Sequence, residues 1–334
     1  MSIDKFAIAA AMSGCAMLAH AATTYSVQTL PAPFVNGASL SPKTAILAGG
    51  ARLEGNSHLQ AALWSGKVVQ VLPSSDTGDT FIRAVNDQGV SVGSVHGSDL
   101  VSSVAVAWSA DHQRHDLPAL VAGDYTQATG GISAQGDIAG LEFSGGNRWM
   151  PVQWHAGAVQ ALPMPAGQEG AQPMAVSPQG LIAGRSYAAG FLERAVLWAH
   201  GTATLVGPTG SIGLGVNDKG QVVGEAANAP FVATATTTQN LPVLPGDSMG
   251  SAQAINTAGV IVGDSACGCG TPGRAVIWHG GAATDLNTLM TPKAKAAGWK
   301  LYGAFAIDDK GRILASAQQG TGNWVTVVLM PVKR

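Results

Sequence analysis

Short runs of alternating hydrophobic and polar residues recur along the chain in one fixed order. The segment AVNDQGVSVG (84–93) has two apolar runs around a polar tetrapeptide, and similar segments begin at 131, 175, 215 and 254. Alternation over a few residues, bounded by Asn, Asp, Ser and Gly, is typical of β-strands joined by tight turns. The pattern therefore predicts one hairpin that the chain repeats.

Three landmarks define the repeat. The residue that opens the turn recurs every 39 to 52 residues and is Ser41, Asn86, Ser133, Ser177, Asn217, Asn256 or Asp308. About 22 residues later, a strand ends in tryptophan in five repeats, at Trp64, Trp108, Trp154, Trp198 and Trp278. A leucine, often followed by proline, comes about eight residues after the tryptophan. Each repeat therefore predicts four strands, which we call a, b, c and d.

Repeats of this length with four strands are typical of β-propeller blades. The last repeat ends after WVTVVLMP without a d strand, and YSVQTLP (25–31) resembles the d-strand segment VVQVLP (68–73). An N-terminal strand that completes the last blade would remove an open sheet edge. We therefore predict an all-β fold: a seven-bladed β-propeller of four-stranded antiparallel blades, closed in this way and formed by residues 22–334 as one domain.

Structural roles are predicted for the residues that repeat. Asn, Asp or Ser opens a turn by bonding to the following backbone, and a glycine three residues later adopts the left-handed conformation. These turn pairs are Asn86 with Gly89, Asn217 with Gly220, and Asn256 with Gly259. The strand-c tryptophans are expected to pack between neighbouring blades rather than to stack on a ligand.

The first residues predict export. Lys5 precedes an apolar run, and AHA (19–21) then has small residues, Ala19 and Ala21, at the two positions that a signal peptidase reads. Residues 1–21 are therefore expected to be a signal peptide. Lipidation at Cys15 is the alternative. The apolar run is shorter than the roughly 20 residues that span a bilayer, so no membrane span is expected. The protein is expected to be secreted or periplasmic.

Composition excludes several classes of function. Charged residues make up 11% of the chain and the net charge is −2, so there is no basic surface for nucleic acid. Cys267 and Cys269 are expected to form a local disulfide or to remain idle thiols, because no further Cys or His pair at ligand spacing stands nearby. We expect no metal and no cofactor, and a monomer.

The recurring A-[IV]-N-x-x-G-x-[IV]-[VA]-G, followed by A-x-x-W, resembles the HAF repeat of predicted bacterial extracellular proteins, and the match covers the whole mature chain. The stretches 285–290 and 298–315 are similar to the last repeat of such proteins. The resemblance implies secretion and a propeller-like fold, with no established activity. The histidine that names the repeat is replaced here, by Gln60, Val104, Met150, Arg194 and Arg274.

Two short motifs are interpreted as turns. GDSMG (246–250) matches the nucleophile elbow of serine hydrolases, but Thr80 and Tyr125 replace Ser248 in the corresponding loops. GCGTPG (268–273) matches a phosphate-binding loop, but no helix follows it. Neither motif predicts a catalytic or nucleotide site.

A candidate binding site is expected where the loops vary. The d-to-a and b-to-c connections share one face of a propeller, and here they are long and dissimilar, whereas the a-to-b and c-to-d turns are short. The variable loops carry aromatic residues outside the repeat and recurring aspartates, which either line a pocket or cap their own turns. The candidate site residues are Asp79, Asp124, Tyr125, Trp149, Tyr187, Asp247, Trp299 and Tyr302.

Two functions remain open at the sequence level. The favoured one is a binding module whose loop-rich face holds a glycan or a partner protein. The alternative is an extracellular enzyme, a polysaccharide lyase or hydrolase, with a site at the mouth of the central channel. No set of residues at fixed spacing supplies an acid, a base and a nucleophile, so binding is favoured and the catalytic residues are unknown.

Overall fold

The computed structural model describes residues 23–74, 78–97, 102–144 and 148–332. These residues form seven four-stranded antiparallel sheets arranged as the blades of a propeller. The predicted signal peptide lies outside the described residues and stays a prediction. Each blade takes its four strands in chain order, apart from the last blade.

The strands are assigned to blades as follows. Blade 1 contains β2 (Phe34–Leu40), β3 (Leu47–Ala51), β4 (Gln60–Ser65) and β5 (Val68–Val71). Blade 2 contains β6 (Thr80–Val85), β7 (Ser91–His96), β8 (Ser103–Trp108) and β9 (Arg114–Asp116). Blade 3 contains β10 (Tyr125–Ile132), β11 (Ile138–Ser144), β12 (Arg148–His155) and β13 (Ala158–Ala161). Blade 4 contains β14 (Gly170–Val176), β15 (Ile182–Ala188), β16 (Leu192–Ala199) and β17 (Thr202–Thr209).

The remaining blades follow the same plan. Blade 5 contains β18 (Ser211–Val216), β19 (Val222–Ala226), β20 (Ala229–Ala233) and β21 (Thr238–Asn240). Blade 6 contains β22 (Met249–Ile255), β23 (Ile261–Ala266), β24 (Arg274–His279) and β25 (Ala282–Asp285). Blade 7 contains β26 (Trp299–Ile307), β27 (Ile313–Gln319), β28 (Trp324–Val332) and β1 (Thr24–Thr29). A short helix, α1 (Pro292–Ala296), lies between blades 6 and 7.

The predicted closure is confirmed. Strand β1 pairs antiparallel with β28, from Thr24 opposite Val332 to Thr29 opposite Val327. The ring is therefore held shut by main-chain hydrogen bonds between the two ends of the chain. Tyr25 is also joined to the α1 region, because its amide donates to the carbonyl of Leu289 at 2.8 Å.

The hairpin between strands a and b shows why the repeat contains two glycines. The first, such as Gly220 with φ of 70°, takes the left-handed conformation in the turn, as predicted. The second, such as Gly224, lies under a bulge in strand a, where a Cβ would come within 1.8 Å of the carbonyl oxygen of Ile212. Five other strand-b glycines are covered by a strand-a carbonyl in the same way: Gly49, Gly93, Gly140, Gly184 and Gly263.

The turn-opening residue also joins blades, which the sequence did not predict. Asn217 caps its own turn, because its Oδ1 accepts from the amides of Lys219 and Gln221 at 3.1 and 3.2 Å. Its Nδ2 donates to the carbonyl of Asn256 in blade 6 at 3.2 Å. Asn86 and Asn256 donate in the same way to Ser133 and Asp308.

Related hydrogen bonds cross the remaining blade junctions at the same face. Lys43, Gln179 and Thr257 donate their amides to the aspartates that follow the turn-opening residue, Asp87, Asp218 and Asp309. The amides of Ala134 and Asp309 donate to the carbonyls of Pro178 and Pro42. Each of the seven junctions therefore has at least one hydrogen bond between neighbouring a-to-b turns.

The strand-c tryptophans link blades further out, as expected for packing residues. Trp108, Trp154, Trp198 and Trp278 are buried, and each indole Nε1 donates to the proline carbonyl after strand d of the preceding blade. The acceptors are Pro73, Pro118, Pro163 and Pro242, at 2.7 to 2.8 Å. Trp64 differs: it is half-buried and donates to Gly66 in its own turn.

Candidate functional site

The two faces of the ring are named here for their connections. The turn face carries the a-to-b and c-to-d turns, and the loop face carries the d-to-a and b-to-c connections. All eight candidate residues lie at or near the loop face, on blades 2, 3, 4, 6 and 7 or just before them. They are spread around the ring, so they do not form one shared pocket.

Two of the three recurring aspartates hold the scaffold. Asp79 accepts from the amide of Leu59 in blade 1 at 2.8 Å, and His58 lies 3.7 Å away. Asp247 is buried, accepts from Ser265 at 2.6 Å and pairs with Arg274 at 2.8 Å. They bond to neighbouring segments rather than lining a common pocket.

Asp124 and Tyr125 differ from these aspartates. The Asp124 Oδ2 is buried without a hydrogen-bond partner among the described residues. Tyr125 is exposed at the start of β10. Among the described residues, neither side chain bonds to or stacks on that of another candidate residue.

Trp149 and Tyr187 come together across the junction of blades 3 and 4. Their ring centroids are 5.5 Å apart in an edge-to-face arrangement, and Tyr187 stacks on Phe191 at 5.7 Å. Phe191 is 82% exposed, at the tip of the b-to-c loop of blade 4, and the neighbouring Leu192 is exposed as well. We call Trp149, Tyr187 and Phe191 the aromatic cluster.

Charged and polar groups border the aromatic cluster on its inner side. The Arg185 guanidinium lies 4.7 Å from the centre of the Trp149 ring, which is a cation–π geometry. Arg185 also bonds to Gln172 and to Glu193, both at 3.0 Å. Because strand b places Arg185 and Tyr187 two residues apart, both side chains lie on the same side of the sheet. The arrangement combines aromatic surface with fixed hydrogen-bonding groups.

Trp299 lies in a second part of the loop face, at the junction of blades 7 and 1. It lines a cavity of about 330 Å³ together with Phe34, Val35, Gln319 and Asn323. Tyr302 is close by on the same strand but interacts elsewhere: its ring lies 4.2 Å from that of Trp324, and its hydroxyl donates to Gln318 at 2.9 Å. The loop face thus carries two separate aromatic sites.

The turn face contains a cavity that the sequence did not indicate. A funnel of about 340 Å³ is centred on the channel axis and lined by the ends of the strand-a segments of all seven blades. Its rim is the ring of a-to-b turns, and Arg83, Met174, Leu214 and Phe305 form its inner wall. We call this cavity the funnel. The only sequence signal for it is Arg83, a charged residue in a strand that is otherwise apolar or neutral.

The two cysteines and the serine of the GDSMG motif have structural roles. Cys267 and Cys269 form a disulfide, and Ser248 donates its hydroxyl to the carbonyl of Cys267 at 2.9 Å. No group of three or more His, Cys, Asp or Glu side chains suited to a metal ion is found within residues 23–74, 78–97, 102–144 and 148–332. A bilayer-crossing helix is not found in that part of the chain.

Comparisons with known proteins identify the fold. No protein-family model and no curated protein matches the sequence. Virginiamycin B lyase from Staphylococcus aureus superposes with a TM-score of 0.58 at 9% identity, over 93% of this chain and 100% of that chain. The β-propeller domain of the trilobed protease from Pyrococcus furiosus also gives 0.58, at 7% identity, over 90% and 98%. A puromycin-hydrolyzing peptidase from Mycobacterium tuberculosis gives 0.54 at 13% identity, over 94% and 56%. At these identities the similarity shows a β-propeller.

Proposed function

We propose that this chain is an exported β-propeller binding module of the HAF-repeat type, which uses its loop face to hold a glycan or a partner protein. The observation that carries the proposal is the aromatic cluster. Trp149 and Phe191 come from different blades and meet around Tyr187 beside Arg185 and Glu193. Exposed aromatic rings next to rigid hydrogen-bonding groups can contact the apolar faces and the hydroxyls of sugar rings.

A glycan fits this surface better than a protein partner does. The cluster is small and flanked by an internally paired Arg–Glu couple, whereas a stable protein interface buries about 800 Å² on each partner. Charged residues are sparse over the whole chain, which leaves little for electrostatic recognition of a protein. Short oligosaccharides need only a few such contacts.

A glycan array screened with the mature protein tests the proposal. Trp149→Ala is expected to weaken the binding of any glycan hit by at least about tenfold, since it removes the stacking surface. Trp299→Ala tests the second loop-face site, and Val68→Ala, an exposed apolar residue on the turn face, is the control. If no glycan binds, the glycan assignment is wrong and a partner protein or a purely structural role is favoured. If glycan binding survives both tryptophan substitutions, the loop-face assignment is wrong.

The enzyme alternative is supported by one specific observation. Arg185, Tyr187 and Glu193 lie together, so a cation, a phenol and a carboxylate are available within one junction. Such groups suit a lyase that neutralises a uronate carboxylate and moves a proton at the adjacent carbon. Incubation with acidic polysaccharides, followed for unsaturated products, separates the two functions: Tyr187→Phe would retain binding but abolish turnover in an enzyme.

A further inference from the structure

The funnel on the turn face has one cationic side chain in its wall, Arg83. The guanidinium is surrounded by the blades, yet it faces the lumen of the funnel and is exposed there. The position is two residues before the end of strand a, where the corresponding residues of other blades are uncharged, such as Met174 in blade 4 and Leu214 in blade 5.

Only one edge of the Arg83 guanidinium is used by the protein. Nε donates to the carbonyl of Thr129 in blade 3, and Nη2 donates to the carbonyl of Met174 in blade 4, both at 2.6 Å. Within the described residues, Nη1 makes no hydrogen bond and no carboxylate pairs with Arg83. The edge formed by Nη1 and the second N–H of Nη2 therefore remains available, and that edge matches a carboxylate in two-point geometry.

The acidic residues of the funnel do not supply this carboxylate. Asp87 accepts from the amides of Lys43 and Thr44. Asp308 is paired with Arg312. The third, Asp309, is bound by the amide and hydroxyl of Thr257. Each is held by hydrogen bonds from its own turn or from a neighbouring blade, so none of them pairs with Arg83, and the free edge of its guanidinium is open to a ligand in the funnel.

We propose that the funnel is a second binding site, separate from the loop face, for a small organic acid whose carboxylate is held by Arg83. Phe305, Met174 and Leu214 then contact the apolar body of the acid. The volume of about 340 Å³ lies at the small end of the range for ligand sites, which fits a monocarboxylic acid of modest size. The hydrogen-bonded ring of turns keeps the mouth of the funnel preorganised.

Calorimetric titration with matched acids and amides tests the site. The probes are phenylacetate and hexanoate, each compared with its neutral amide, which has the same body and no charge. The acids are expected to bind at least about tenfold more tightly than the amides, because a charged hydrogen-bonded pair replaces a neutral one. Equal affinity for acid and amide, or no binding of either acid, would overturn the proposal.

Two variants locate the binding. Arg83→Gln is expected to remove the preference for the acid over the amide, and Ala38→Phe, which enlarges a side chain in the funnel wall and keeps Arg83, is expected to abolish binding of both. Trp149→Ala on the loop face is expected to leave both affinities unchanged. If Arg83→Gln fails to fold, the Ala38→Phe variant still tests whether the acid binds in the funnel. Unchanged acid binding in a folded Ala38→Phe protein would show that the acid binds elsewhere. Because the loop face is probed separately, this result does not depend on glycan binding.

Discussion

The turn face and the loop face of the ring are built from the same four-strand repeat, but they differ in what repeats. On the turn face, hydrogen bonds between neighbouring a-to-b turns run around the whole ring, and Asn217 makes one of them to Asn256. On the loop face, one junction carries Trp149 against Tyr187 and another carries a cavity lined by Trp299. Repetition therefore marks residues that hold the ring, and variation marks residues that are free to bind.

The same contrast appears within a single strand. Trp154 and Trp149 lie at opposite ends of β12, and only Trp154 belongs to the repeat. Trp154 is 1% exposed and bonded to Pro118 of blade 2, whereas Trp149 is partly exposed and contacts Tyr187 and Arg185 of blade 4. The two tryptophans differ by position in the blade rather than by residue type.

The largest effect is expected from a methyl group in the strand a–b bulge. Gly224→Ala places a Cβ against the carbonyl of Ile212, and backbone must move, so we expect at least about 3 kcal/mol of destabilisation in urea unfolding. Gly303→Ala in blade 7 is the control, because its nearest atom is the Ser316 Oγ at 3.5 Å. If both variants unfold at the same urea concentration, the carbonyl of Ile212 does not require glycine at position 224.

A smaller effect is expected at the turn-opening slot. Asn217→Ser keeps an oxygen to cap the turn but loses the bond to Asn256, so we expect a loss of about 1 kcal/mol. Asn217→Ala removes the cap as well and is expected to cost about 2 to 3 kcal/mol. Blades 3 and 4 have Ser133 and Ser177 in this slot. Their hydroxyls cap the turn, but serine has no side-chain amide to donate to the next blade. If the serine and alanine variants are equally stable, the cap does not contribute.

The smallest effect concerns pH. Burial raises the pKa of Asp264, the nearby Glu225 raises it further, and a hydrogen bond from Gln253 opposes both. A carboxyl with a raised folded-state pKa destabilises the protein as the pH rises through that pKa, because the folded state holds a proton that the unfolded state releases. Asp264→Asn should therefore raise the melting temperature slightly near neutral pH and leave it unchanged in acid. If the melting temperature of Asp264→Asn is lower than that of the wild type at neutral pH, the ionised Asp264 stabilises the folded protein and the prediction is wrong.

The sequence predicted the ring because each blade repeats local signals. The Asn-to-Gly turn of residues 86–89 and the strand that ends at Trp108 each depend on residues close together in the sequence. The last repeat lacks a d strand, and this predicted that β1 completes its blade. Contacts between blades were not predictable in this way. The bond from Asn217 to Asn256 spans a junction, and its geometry depends on the closed ring.

The candidate site was predicted less completely, for the same reason. Trp149 and Tyr187 were both identified as loop-face residues, but their meeting across a junction depends on how two blades pack. The role of Asp247 as the partner of Arg274 was not expected, since the two residues are 27 positions apart in sequence. Arg83 was missed because a single arginine in strand a gives no periodic signal, and its significance lies in the funnel that seven blades create together.

The stability of two variants in β12 tests the central claim most directly. Trp154→Ala should lower the free energy of unfolding by about 3 to 5 kcal/mol, because it leaves a large cavity between blades 2 and 3 and an unpaired carbonyl at Pro118. Trp149→Ala should lower it by no more than about 1 kcal/mol, since it removes one ring pair and one cation–π contact at the surface. Equal losses, or a larger loss at Trp149, would contradict the division between a repeated scaffold and a variable binding face.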